Sequence, residues 1–234
     1  FSNAVNIAGW SLSADANAIT YPYQNSQTAY NDEWIFEPVY NYSVRQMLNY
    51  RNAHWDKYSE TYPDMGGFGG DCTNYVSQCM LAGGIHFQDE WWIYKKNGDH
   101  PAPKNGTEFD ASWDVDTIGG FLGINASSPW LSAERFDDFW CARVENMKCT
   151  LKYAQEHRQE LVNSKYEIGD VVMFIENNGD PGHAMIIVGY KDGDFVLSGH
   201  TNNRYDLPLQ SAVSNYLKPE SGYDKGWIRF YKMV

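Results

Sequence analysis

Gly69-Gly70-Asp71-Cys72-Thr73-Asn74-Tyr75-Val76-Ser77-Gln78-Cys79-Met80-Leu81-Ala82-Gly83-Gly84 is the stretch on which the fold turns. Cys72, Tyr75, Val76, Cys79 and Met80 recur at i, i+3, i+4, i+7 and i+8, which places them on one face of an α-helix. Gly83-Gly84 supplies the stop, because a glycine accepts the left-handed conformation that ends many helices. The approach from Pro63 to Asp71 is dense in glycine, so it predicts a tight bend rather than regular structure. The spacing therefore predicts a helix over 72–82 with Cys72 in its first turn.

Outward from this helix the pattern changes. Upstream, Val44, Met47, Leu48, Arg51 and Trp55 suit an amphipathic helix capped by Asn41 or Ser43. Downstream of Gly169, period-two and apolar runs at Val171–Ile175, His183–Tyr190, Phe195–His200 and Trp227–Tyr231 read as antiparallel strands. They are separated by the turn-forming stretches Asn177–Gly182 and Asp192-Gly193-Asp194. A helix-borne cysteine followed by such a meander gives an α+β fold, with the helix packed on an antiparallel sheet. One domain over 42–234 is expected, with an N-terminal extension at 1–41. Residues 88–165, with helical patterns near 132–145 and 148–163, read as an elaboration beside the core.

A thiol attacks as the thiolate, and a helix N-terminus stabilises that anion through its amides and dipole. Cys72 has this placement, its own amide is a donor for a developing oxyanion, and Asp71 is expected to cap the helix. A buried structural cysteine at a helix start is the competing reading. The base must come from elsewhere in the chain. His183 opens an apolar strand after Pro181-Gly182, and His200 closes the next one. A hairpin turning at Asp192-Gly193 would make the two neighbours, so His200 is the expected third member, with Asn202 as the alternative. Either histidine could instead be a polar strand-end residue. Cys79, two turns into the helix, reads as core. Cys141 and Cys149 are open to either a bridge or free burial, and Trp91-Trp92 to core packing or a groove wall.

Composition excludes several function classes. Hydrophobic residues make up 43% and charged residues 21%, with 9 Trp and 17 Tyr, which describes a globular chain. A net charge of −12 without a basic cluster disfavours nucleic acid. The apolar run at Ala184–Tyr190 is far shorter than the ~20 residues of a membrane-spanning helix. No Cys-x-x-Cys pair offers a zinc knuckle, and no metal or cofactor is expected. The opening Phe1-Ser2-Asn3-Ala4 has no charged leader followed by an apolar stretch, so an export signal is expected to be absent from this chain.

With these residues in view, the sequence resembles the bacterial putative amidase domain family, a branch of papain-like enzymes related to the NlpC-type and CHAP cell-wall hydrolases. The resemblance covers about 42–232. It is carried by Gly69–Cys79, Ala82-Gly83-Gly84, Trp92-Ile93-Tyr94, Ser112-Trp113, Gly169-Asp170-Val171-Val172, Gly182-His183-Ala184-Met185 and His200-Thr201-Asn202-Asn203-Arg204. It implies a papain-like fold and a Cys72, His183, His200 triad that forms a thioester. It further implies an exported or cell-surface enzyme acting on amide bonds of peptidoglycan stem peptides or similar peptides. Acyl transfer through the same thioester is the alternative enzyme, although the related lipid acyltransferases place histidine before cysteine. A non-catalytic surface module that binds peptides or glycans is the remaining alternative.

Overall fold

A computed structural model describes residues 11–12, 19–22, 27–30, 33–36, 41–67, 70–87, 90–93 and 128–234. The predicted motif pieces at Tyr94 and Ser112-Trp113 lie outside these residues.

Four short strands come first: β1 (Ser11–Leu12), β2 (Ile19–Pro22), β3 (Gln27–Tyr30) and β4 (Glu33–Phe36). β2 pairs with β1 and with β5 (Asn41–Ser43), while β3 and β4 form a hairpin. β5 runs directly into α1 (Val44–His54), which Ser43 caps by accepting from the amide of Gln46 at 3.3 Å. The next helix, α2 (Cys72–Gly83), follows the predicted span to within a residue. It ends in a Schellman turn: Gly84 has φ 107°, and the amides of Gly84 and Ile85 donate to Leu81 O and Met80 O at 3.0 and 3.1 Å.

The main sheet has six antiparallel strands: β6 (Asn146–Thr150), β7 (Val171–Ile175), β8 (Pro181–Lys191), β9 (Asp194–Gly199), β10 (Arg204–Pro208) and β11 (Trp227–Tyr231). Their spatial order is β10-β9-β8-β7-β11-β6. The α+β class is as the sequence predicts. Alternation along β7 divides the core in two. Val171, Met173 and Ile175 join Tyr75, Val76, Cys79 and Met80 of α2 on one face. Val172 and Phe174 join Leu151, Leu161, Leu209 and Val213 on the other, from helices at Leu151–Glu156, Arg158–Val162 and Leu209–Tyr216. Burying each such side chain is worth roughly 1.5–3 kcal/mol, so both helical layers are held to the sheet chiefly by apolar contact.

One feature differs from the sequence reading, and two alternatives that it left open are resolved. The second helical pattern, expected from 148, begins with a strand: every residue of β6 pairs with β11, and helix starts only at Leu151, where Thr150 Oγ1 accepts from the amide of Tyr153 at 3.1 Å. Five residues are too few for period two to stand out from the helical pattern that follows. Cys141 and Cys149 are free thiols and pack against opposite core clusters, so the sheet lies between them. Trp91 and Trp92 are buried, and Trp91 Nε1 donates to Ser77 Oγ at 3.0 Å.

Gly169-Asp170 is a structural junction. Gly169 has φ 104°, and an added Cβ would stand 2.8 Å from the ring of Tyr42. Asp170 is fully buried and accepts from the amides of Glu167, Met233 and Val234 and from Lys232 Nζ, at 2.7 to 3.2 Å. This ties the end of the chain to the start of β7. Among the described residues no helix is long and apolar enough to cross a membrane.

Candidate active site

Asp71 and Cys72 open α2 where β9 ends. The amide of Asp71 donates to Thr201 Oγ1 at 3.1 Å, and the amide of Ala184, in β8, donates to the Cys72 sulfur. Cys72 is 8% exposed. Burial alone would push its thiol up, but a hydrogen bond and positive charge from His183, the Ala184 amide and the Thr73 hydroxyl outweigh it and pull the thiol down to about 7. The structure thus brings Cys72 and His183 together. Asp71 does not cap the helix with its side chain, so the first-turn amides are not occupied by it.

His183 lies opposite Phe174 in β7 and is partly exposed. Tyr216 stacks on Phe174 at 4.3 Å and stands 6.2 Å from the His183 ring. Tyr223 Oη donates to Glu176 Oε1 at 3.3 Å, and a Cβ at Gly182 would meet that hydroxyl at 2.1 Å, so any larger residue immediately before the imidazole would have to displace the Tyr223 side chain. Burial pushes the hydroxyls of Tyr216 and Tyr223 up, and the charge of Cys72 adds to the effect on both. Tyr216 and Tyr223 therefore lie within electrostatic reach of the thiol, Tyr216 beside the His183 ring, and Glu176 is bound to Tyr223. Sequence reasoning missed all three, because they come from a strand end, a helix and a loop with no shared spacing.

His200 is not beside His183. Its Nδ1 meets Asp71 Oδ2 at 2.5 Å and its Nε2 meets His54 O at 2.7 Å, so neither nitrogen is left to orient His183. A β-bulge is the reason. The hairpin closes with Lys191 opposite Asp194, but the register shifts between Ile187 and Gly189, so Ile186 lies opposite Ser198. Continuing that register puts Ala184 opposite His200. Without the extra residue Met185 would stand there, and His200 would share the face of His183. Instead His200 points toward α2, where it stacks on Tyr75 at 4.0 Å and lies 4.4 Å from Tyr58. Asn202, the alternative, is exposed in the turn after β9.

The remaining polar residues of the α2 motif brace its surroundings. Asn74 Nδ2 donates to Asp71 Oδ1 and Pro63 O at 2.7 and 2.8 Å, while its Oδ1 accepts from Trp130 Nε1 at 2.9 Å. Tyr75 Oη bonds Ser198 Oγ at 2.9 Å. Cys79 is fully buried, and burial pushes its thiol up to about 12. Among the described residues no group of three or more His, Cys, Asp or Glu side chains is placed to hold a metal ion.

An acidified thiol at a helix start, with an imidazole and a main-chain amide on it, is the equipment of nucleophilic acyl chemistry. No curated protein and no solved structure matches the chain. The model of the putative amidase domain matches residues 41–221, a span that contains α2, the whole of β7 to β10 and both histidines, and the chain belongs to that family of amide-bond hydrolases.

Proposed function

We propose that the protein is a papain-like cysteine amidase or peptidase with Cys72 as nucleophile and His183 as general base. The observation that carries the reading is the Cys72 thiol, held down near 7 by the His183 imidazole although it is buried. The proton of Cys72 passes to His183, and the thiolate adds to an amide carbonyl. The oxyanion so formed takes hydrogen bonds from the first-turn amides of α2. Collapse breaks the C–N bond as His183 returns the proton to the departing amine, leaving a thioester on Cys72. Water, deprotonated by His183, then adds to the thioester, and its collapse releases the acid and restores the thiol. The substrate class proposed is the stem peptide of peptidoglycan or similar peptides, which rests on the family likeness, and with it an extracellular or cell-surface location.

Incubation with purified peptidoglycan and with a peptide library, followed by mass spectrometry of new termini, tests this reading. New amine and carboxyl termini that are lost in Cys72→Ala support it. Wild-type turnover by Cys72→Ala would overturn it.

A further inference from the structure

We propose that His200 is a positioning residue for the nucleophile: through Asp71 it moors the first turn of α2 and neutralises the carboxylate that adjoins Cys72. The proposal rests on the reading of Cys72 as nucleophile and adds a role for a residue that does not touch the thiol's base.

The geometry has three parts. First, Asp71 is 1% exposed and engaged at every polar atom. Its amide donates to Thr201 Oγ1, and its carbonyl accepts from Tyr75 N at 2.9 Å. Its Oδ1 accepts from Met65 N at 2.8 Å and from Asn74 Nδ2, and its Oδ2 meets His200. The backbone one residue before the sulfur is therefore fixed on all sides. Second, His200 is 2% exposed and fixed in its turn by His54 O at the end of α1 and by the rings of Tyr75 and Tyr58. A carbonyl only accepts, so Nε2 donates to His54 O. An Asp71 carboxylate already accepting two N–H donors on Oδ1 is best matched by a second donor at Nδ1. Third, a buried carboxylate one residue from Cys72 would repel a thiolate, and its pairing with His200 removes that repulsion. The other titratable or charged groups around the pair are Tyr50, Arg51 and the His54 ring on α1, Tyr58 and Asp64 in the loop, Tyr75 and Cys79 on α2, and Cys72 with His183 at the site.

A residue that oriented His183 and one that moors Asp71 both reduce turnover when replaced, but they respond differently to removal of the carboxylate. The test is the pH dependence of iodoacetamide alkylation at Cys72, read by peptide mass spectrometry on wild type, His200→Gln and Asp71→Asn/His200→Gln, each checked for folding by thermal melt. Alongside it, kcat/KM is measured on whichever peptide the wild type cleaves. His200→Gln is expected to raise the alkylation midpoint by about one pH unit and to lower kcat/KM by about a hundredfold, the scale of a misplaced nucleophile. Adding Asp71→Asn is expected to return the midpoint to within about half a unit of wild type while kcat/KM stays low. If the double variant keeps the raised midpoint, or if His200→Gln leaves both readouts unchanged, the proposal is overturned. Should His200→Gln not fold, the double variant decides by the same criterion. Loss of activity in Cys72→Ala alongside unchanged readouts in His200→Gln would sink the mooring role alone, whereas an active Cys72→Ala would sink the reading beneath it.

Discussion

The two cysteines of α2 stand on one helix face, two turns apart and both buried, yet the thiol of Cys72 is pulled down to about 7 and that of Cys79 is pushed up to about 12. Both lose hydration, and burial acts upward on each. The difference lies in what replaces the lost water. Cys72 has the His183 imidazole, the Ala184 amide and the Thr73 hydroxyl, whereas Cys79 sits among Tyr75, Val76 and Met80 in the apolar cluster. Helix position thus supplies the opportunity, and donors from a distant strand make the acid.

Variants at the first turn should therefore change activity, and variants in the scaffold should change stability. The largest effect is expected for Cys72→Ala, with kcat/KM reduced by at least about 10⁴-fold and the melting temperature little changed. His183→Ala is expected to cost about 10³-fold, the range of a general base, measured in the same peptide assay. Asp170→Ala should leave the catalytic constants of the folded enzyme intact but destabilise by about 3 kcal/mol in urea titration, because three amides and Lys232 lose their acceptor. Cys79→Ala should do least, about 1 kcal/mol of stability with unchanged turnover. If Cys79→Ala lost activity as Cys72→Ala does, the division between first turn and helix body would fail.

Much of the scaffold is legible in the sequence because its signals are strong and local. The apolar spacing from Cys72 to Met80 and the glycine pair after it mark α2, and the apolar runs at Val171–Ile175 and Trp227–Tyr231 coincide with β7 and β11. What was not legible depends on pairing. The bulge near Val188 moves His200 to the other face of the sheet, and nothing in the residues of β8 announces an extra position there. The short edge strand β6 borrows its identity from β11. Asp71 reads as a helix cap from its position alone, but its carboxylate finds Met65, Asn74 and His200 instead, and the first and last of these come from loops and strand ends that no periodicity describes. The same holds for β10 and the Leu209–Tyr216 helix after it, which bring Tyr216 to the site.

The central claim is that His183 makes Cys72 acidic. Because the folded thiol is more acidic than a free one, its thiolate should persist down to about pH 7 and be lost only below that. The alkylation rate of Cys72 against pH, compared between wild type and His183→Ala, tests this most directly. A midpoint near 7 in the wild type that rises toward the ordinary thiol value in His183→Ala is the expected result, and a midpoint that does not move when the imidazole is removed would contradict the account.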